Sequence, residues 1–141
     1  MAALPARLVE QLYTAGEFEN LPEFDKRYEL IEGKLVKKPM PNSEHSLIAR
    51  ILIKQYDIFD PEEKMGRILQ EVSTILNVRN TPAPDVAFWT ADRKPNRSHK
   101  AAERPDLAIE IWSPHDLDTK KRHEEALDKI QRYLAAGVPL V

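Results

Sequence analysis

Asp85 stands in the run Ala83-Pro84-Asp85-Val86-Ala87-Phe88-Trp89, and Glu110 in Asp106-Leu107-Ala108-Ile109-Glu110-Ile111-Trp112. Both runs read as strands. Proline removes a ladder donor and holds its predecessor extended, so Asp85 opens its strand where the sheet emerges from a loop. Glu110 lies inside its strand with apolar residues on either side. A carboxylate there is costly to bury unless it is paired, hydrogen-bonded or bound to a cation. If the two strands pair through the loop between them, both acids lie near one end of a sheet. Two converging carboxylates suit a hard divalent cation such as Mg²⁺, which takes oxygen ligands and keeps several waters. Lys129 is the third residue of interest. On a helical wheel it falls at the edge of an apolar stripe, one turn before Tyr133, so its stem can lie on the core while its ammonium reaches a pocket. Taken singly, Asp85 also fits a turn residue, and Lys129, like Arg122 on the same edge, a solvated helix surface.

The elements that must position these groups follow from periodicity. Leu8, Val9, Leu12 and Tyr13 give a helical stripe over 7–15, with Gly16 as its stop. Over 28–36 the apolar residues flank Glu32-Gly33-Lys34, a hairpin whose turn uses Gly33. Asn42 or Ser43 caps a helix carrying Leu47, Ile48, Ile51, Leu52, Tyr56 and Phe59 as its apolar face, closed by Pro61. Three extended segments follow, at 68–76, 85–89 and 107–112. A long helix capped by Asp116 or Asp118 then buries Ala126, Leu127, Ile130, Tyr133 and Leu134, and Gly137 ends it. The order predicts a mixed α/β domain with helices flanking a small sheet. Val138-Pro139-Leu140-Val141 reads as the start of another strand, so a single domain over 1–141 is expected to lack its C-terminal piece.

Composition excludes several classes. The 141 residues carry 21 Lys+Arg against 23 Asp+Glu, a net charge of −2, so a polyanion partner has to be held by a local patch or through a metal ion. There is no cysteine, hence no disulfide, thiolate zinc site or cysteine nucleophile. His45, His99, His115 and His123 show no one-turn pairing on a single helix, and no Gly-x-Ser-x-Gly elbow occurs. The most apolar stretch, 47–53, is interrupted by Arg50 and is far short of the ~20 residues of a membrane span. The first residues do not read as a secretion signal, and a cytoplasmic setting is expected. One basic run, Arg93-Lys94-Pro95-Asn96-Arg97-Ser98-His99-Lys100, lies inside this acidic chain. Arg93, Lys94, Arg97 and Lys100 are candidates for contact with a nucleic-acid backbone, and equally fit an ordinary solvated loop.

Five blocks in series carry a family resemblance. Tyr28-Glu29-Leu30-Ile31-Glu32-Gly33-Lys34-Leu35, Met40-Pro41-Asn42-Ser43-Glu44-His45 and Pro84-Asp85-Val86-Ala87-Phe88 are the first three. The run from Pro105 through Glu110 to Pro114, and the run from Lys129 through Tyr133 to Val138, complete the set. Together they resemble the Uma2 family of endonucleases, within the PD-(D/E)xK nuclease superfamily. The resemblance implies a restriction-endonuclease-like fold: a mixed central sheet flanked by helices. It implies that Asp85 and Glu110 are the acidic metal ligands; their separation, 110 − 85 = 25 residues, suits a strand–loop–strand unit. Trp112 stands where the superfamily usually has its lysine, and Lys129 matches a lysine transferred to the following helix. Glu29 and His45 match the family's early glutamate and histidine.

The resemblance further implies Mg²⁺-dependent hydrolysis of DNA phosphodiester bonds, with Mn²⁺ as a substitute. The metal would acidify a water, Lys129 would orient it, and in-line attack would leave a 5′-phosphate. His45 would contact phosphate or relay a proton. The implied partners are DNA and, as in nucleases that cut both strands, a second copy in a homodimer. The alternative is a binding or interaction module that keeps the fold and has lost catalysis; the net charge and Trp112 favour it.

Overall fold

The computed structural model describes residues 11–22, 24, 27–96, 98 and 100–141, the side chain of His115 excepted. Its elements are, in order, α1 (Ala15–Glu19), β1 (Tyr28–Ile31), β2 (Lys34–Lys37), α2 (Ser43–Phe59), β3 (Gly66–Gln70), β4 (Thr74–Ile75), β5 (Val86–Thr90), β6 (Ala102–Glu103), β7 (Leu107–Ile109), α3 (Pro114–Leu117) and α4 (Lys120–Ala135). A 3₁₀ turn, Ala91–Arg93, follows β5. The mixed α/β architecture is as expected, with its strands in three groups: the β1–β2 hairpin, an antiparallel β3-β5-β7 sheet, and a parallel β4–β6 pair.

The hairpin turn needs Glu32 and Gly33 at φ of 51° and 81°, the left-handed region in which glycine is unpenalised. An antiparallel bridge between Leu30 and Thr81, bonded in both directions, ties this hairpin to the segment leading into β5. Tyr28 and Leu30 point into a cluster with Tyr13, Phe18, Phe24 and Ala101. Successive side chains of a strand alternate sides, so Glu29 faces the other way.

In the central sheet β5 is flanked by β3 and β7. Ala87 and Trp89 project to a common side and pack with Ala102, and the Trp89 indole N–H donates to the Glu103 carbonyl at 2.9 Å. Gly66 pairs with Thr90, and a Cβ there would lie 2.1 Å from the Trp89 carbonyl oxygen. That close approach admits no side chain.

Several local expectations are corrected. The stripe over 7–15 enters the described residues as coil at 11–14, its first part lying outside them. The helix starts at Ala15 instead, because the Thr14 hydroxyl accepts from the Glu17 N–H while the Glu17 carboxylate accepts from the Thr14 N–H. Gly16 therefore lies within the first turn rather than at a stop. The last helical region is divided: Ser113 caps α3, and Thr119, not Asp116 or Asp118, caps α4.

The faces of the two long helices are also rotated from the expected stripes. α2 turns Ala49, Leu52, Ile53 and Tyr56 inward and leaves Leu47, Ile48, Ile51 and Phe59 exposed. α4 turns Ala126, Lys129, Ile130 and Tyr133 inward and leaves Leu127 and Leu134 exposed. Finally, β7 ends at Ile109, so Glu110 lies just past the strand rather than inside it.

The end of α2 is held by a polar cluster. The Asp60 carboxylate accepts from the Tyr56 hydroxyl at 2.7 Å and from the backbone N–H groups of Lys64 and Met65. The Tyr56 bond, with those N–H groups behind it, holds the Asp60 pKa below its ordinary value, while burial and the neighbouring carboxylate push Tyr56 up to about 12. A depressed carboxylate pKa contributes stability above the unfolded value that is lost as pH falls through the folded one. Asp60→Asn is therefore expected to lower the melting temperature by a few degrees at pH 7, and by progressively less below about pH 4, as the wild-type carboxylate also protonates. Thermal melts across pH 2–7 check this; a deficit independent of pH contradicts it.

Candidate active site

β5 and β7 run antiparallel with Val86 opposite Ile109 and Ala87 opposite Ala108. One step beyond the last pair, the same register sets Asp85 against Glu110. Directly opposed residues project to the same side of a sheet. The two acids singled out from sequence thus converge because both strands stop at the same edge.

A cleft of about 520 Å³ opens at that edge, lined by Glu29, Lys38, His45, Asp85, Glu110, Trp112 and Lys129 among others. All five sequence-proposed catalytic residues reach it, each from a different part of the chain. Glu29 comes from β1, Asp85 and Glu110 from the ends of β5 and β7, and Lys129 from the inward face of α4. His45 sits in the first turn of α2, where the Asn42 side chain caps its N–H at 2.8 Å.

The Lys129 ammonium lies 2.8 Å from Glu29 Oε1 and 3.0 Å from Glu110 Oε1. Burial opposes its charge, yet Glu110 and Glu29 outweigh burial and hold the Lys129 pKa above the ordinary lysine value. It is a cation across the neutral range, suited to electrostatic stabilisation and unsuited to acting as a base. Glu29 Oε1 also accepts from the Ala83 N–H at 2.8 Å, two residues before Asp85. One carboxylate thereby fixes both the lysine and the loop that carries the aspartate.

Glu110 is raised above the usual glutamate range, chiefly by burial, with Lys129 opposing and Asp85 adding to the rise. Its Oε1 also accepts from the Tyr133 hydroxyl at 2.8 Å. Asp85 behaves in the opposite way. Burial would raise it, but the Lys38 ammonium, the Ile111 N–H and His45 together bring its pKa below the ordinary value. Ile111 N–H donates to Oδ2 at 2.6 Å, while Lys38 Nζ and His45 Nε2 stand 2.9 and 3.1 Å from Oδ1. Neither nitrogen meets that buried oxygen along a hydrogen-bond direction.

Among the described residues no group of three or more His, Asp and Glu side chains is arranged as a ready-made metal cage. A Mg²⁺ ion needs less than that: it is commonly held by one or two carboxylates, with waters completing the octahedron. The buried Asp85 Oδ1, without a directed hydrogen bond, and the opposed Glu110 fit that donor set.

Lys38, which lines the cleft, and Tyr133, buried behind it on Glu110, were not singled out from sequence. Tyr133 read simply as core, although its position one turn from Lys129 places it on the same face. Lys38 follows β2 beside the similar Lys37, and nothing in the local sequence separates the two. Trp112, at the usual lysine position, instead stacks edge-on to His123 at 6.1 Å.

The basic loop is placed differently. Asp85 and Glu110 lie at one end of the β5–β7 pair, and the loop leaves from the other, roughly 17 Å away along five strand residues. Arg93 is held by Asp106 and the Arg104 carbonyl, and Lys94 by Glu63. Lys100 returns with β6 to a neighbouring cavity that shares Glu29 and Lys38 with the cleft, and donates to the Glu19 carbonyl. Arg97 lies outside the described residues. No helix among the described residues is long and apolar enough to cross a membrane.

Comparison with known proteins converges on one family. The Uma2 family model, described as "Putative restriction endonuclease", matches residues 15–141. A crystal structure of a "putative nuclease belonging to DUF820" from Anabaena variabilis superposes with a TM-score of 0.68 at 27% identity, covering 86% of this chain and 68% of that one. No curated protein matches the chain.

Proposed function

Since the chain belongs to the Uma2 family, we propose that its cleft hydrolyses phosphodiester bonds of DNA with Mg²⁺, for which Mn²⁺ substitutes. The observation that carries this reading is the convergence of Asp85 and Glu110 from opposed register positions onto a cleft that also receives the Lys129 ammonium. Asp85 and Glu110 would hold the cation. When bound, it would lower the pKa of a coordinated water and offset charge on the scissile phosphate.

The protein's own groups do the rest. Lys129, kept charged between Glu29 and Glu110, is placed to orient the attacking water and to stabilise charge on a phosphate oxygen. Glu29 is a positioning residue, since it fixes that amine and the Ala83 backbone. Tyr133 restrains Glu110. His45, against Asp85, is placed to meet phosphate or pass a proton. Contact with a duplex by Arg93, Lys94, Arg97 and Lys100 belongs to this proposal as well, with Arg93 and Lys94 at the far end of the β5–β7 pair. The homodimer expected from the resemblance and the cytoplasmic setting expected from the first residues belong to it as well.

One observation favours the second reading, a nuclease fold kept as a binding module: the Asp85 oxygen a metal would use is already approached by Lys38 and His45. Supercoiled plasmid separates the two. The proposal expects nicked and linear products bearing 5′-phosphates with Mg²⁺ or Mn²⁺, none with a chelator, and none from Glu110→Ala. DNA retention without cleavage under every metal, or equal cleavage by Glu110→Ala, supports the module instead.

A further inference from the structure

Lys38 is a buried lysine that the chemistry above does not use. Its side chain is 11% exposed, and its ammonium stands 2.9 Å from Asp85 Oδ1. The same ammonium donates to the Ala83 carbonyl at 2.6 Å, and Glu71 Oε1 lies 4.0 Å away. Lys129 is committed on the other side of the cleft, to Glu29 and Glu110. Lys38 and Lys129 therefore bring two buried ammonium groups to the cleft, each on its own carboxylates.

A divalent ion on Asp85 and Lys38 cannot share that oxygen as they stand. The ion would bring two positive charges to within about 2.1 Å of Oδ1, facing an ammonium already in contact with it. A lysine has a flexible four-carbon stem and rotatable donors, so it can withdraw where an arginine fork could not. Glu71, at the edge of contact and already paired with Arg27, offers it a second carboxylate to share.

Resting on the metal-site reading, we propose that Lys38 is a tethered cation that occupies the Asp85 oxygen in the metal-free protein and moves toward Glu71 when a divalent ion binds. It neutralises a buried carboxylate before the metal arrives and weakens the metal's hold once it does. The proposal makes Lys38 an internal competitor that sets the concentration of divalent ion needed to load the site.

Calorimetric titration of Mn²⁺ into the full chain, without DNA, tests this with the wild type, Lys38→Met and an Asp85→Asn control. Methionine keeps the unbranched stem and removes the charge. Mn²⁺ is expected to bind Lys38→Met about tenfold tighter or more than the wild type, because the competing charge is gone. The metal-free variant is expected to melt at a lower temperature. Lys38→Gln, which can still donate to the Ala83 carbonyl, is expected to show the same gain and keeps the test readable should Lys38→Met not fold. Binding that requires Asp85 but is no tighter in either Lys38 variant than in the wild type overturns the proposal alone. Absence of Asp85-dependent binding in every protein overturns the metal-site reading on which it rests.

Discussion

Lys129→Met is expected to destabilise the chain by about 3–5 kcal/mol and to reduce cleavage to background, because removing one partner of a buried ionic cluster leaves uncompensated charge behind. The side chains of Glu29 and Glu110 are 8% and 10% exposed, and the Lys129 ammonium lies within 3.0 Å of an oxygen of each. Without it, one of these carboxylates has to protonate or the cluster has to open to water. The double variant Lys129→Met/Glu29→Gln removes the extra negative charge, so it should recover most of the lost stability and none of the activity. Urea unfolding gives the first quantity and plasmid nicking the second. A loss below about 1 kcal/mol would mean that the lysine behaves as a surface ion-pair partner.

The second large effect concerns Asp85→Asn. The substitution is nearly isosteric and keeps an oxygen for the Ile111 N–H, so the fold is expected to survive. What it removes is the negative charge, and with it one of the two proposed metal ligands. Cleavage in saturating Mg²⁺ is expected to fall by roughly 10²–10³-fold, the scale on which loss of one preorganised electrostatic element acts. The readout is the initial rate of plasmid nicking over a Mg²⁺ series. Retention of near wild-type rate would remove Asp85 from the reaction. Partial rescue by high Mn²⁺ would keep it there, since the weakened site could then be loaded by mass action.

Much of the site was legible in the sequence because it is written in strand ends. Pro82 and Pro84 before an apolar run place Asp85 at a strand start, and the 25-residue separation from Glu110 fits two neighbouring strands. The observed register then puts the acids face to face. The hairpin was equally legible, since Glu32-Gly33 between apolar residues has a local conformational cause.

Helix faces were not legible in the same way. Periodicity locates apolar residues, but it does not say which side meets the protein. In α2 the small Ala49 and the Tyr56 hydroxyl, bonded to Asp60 and to the Gly66 carbonyl, decide the orientation, and the larger aliphatic residues stay outside. The first helix carried its start signal in Thr14-Ala15-Gly16-Glu17, a reciprocal cap that the apolar stripe before it obscured. Lys38 is a purely tertiary fact: its burial depends on Asp85 and Ala83, brought from a remote segment by the bridge between Leu30 and Thr81. Tyr133 was read as apolar bulk, and its hydroxyl acquired a role only when Glu110 came within 2.8 Å.

The account stands on one divalent ion bound between Asp85 and Glu110. Crystals of the full chain grown with Mn²⁺, measured near the manganese absorption edge, test it most directly. The predicted result is an anomalous peak in the cleft with one oxygen of each carboxylate at ~2.1–2.3 Å, a value set by metal–oxygen bonding, and with Lys38 displaced toward Glu71. A cleft without a peak at millimolar Mn²⁺, its ammonium groups still seated on both acids, would contradict the proposed catalytic centre.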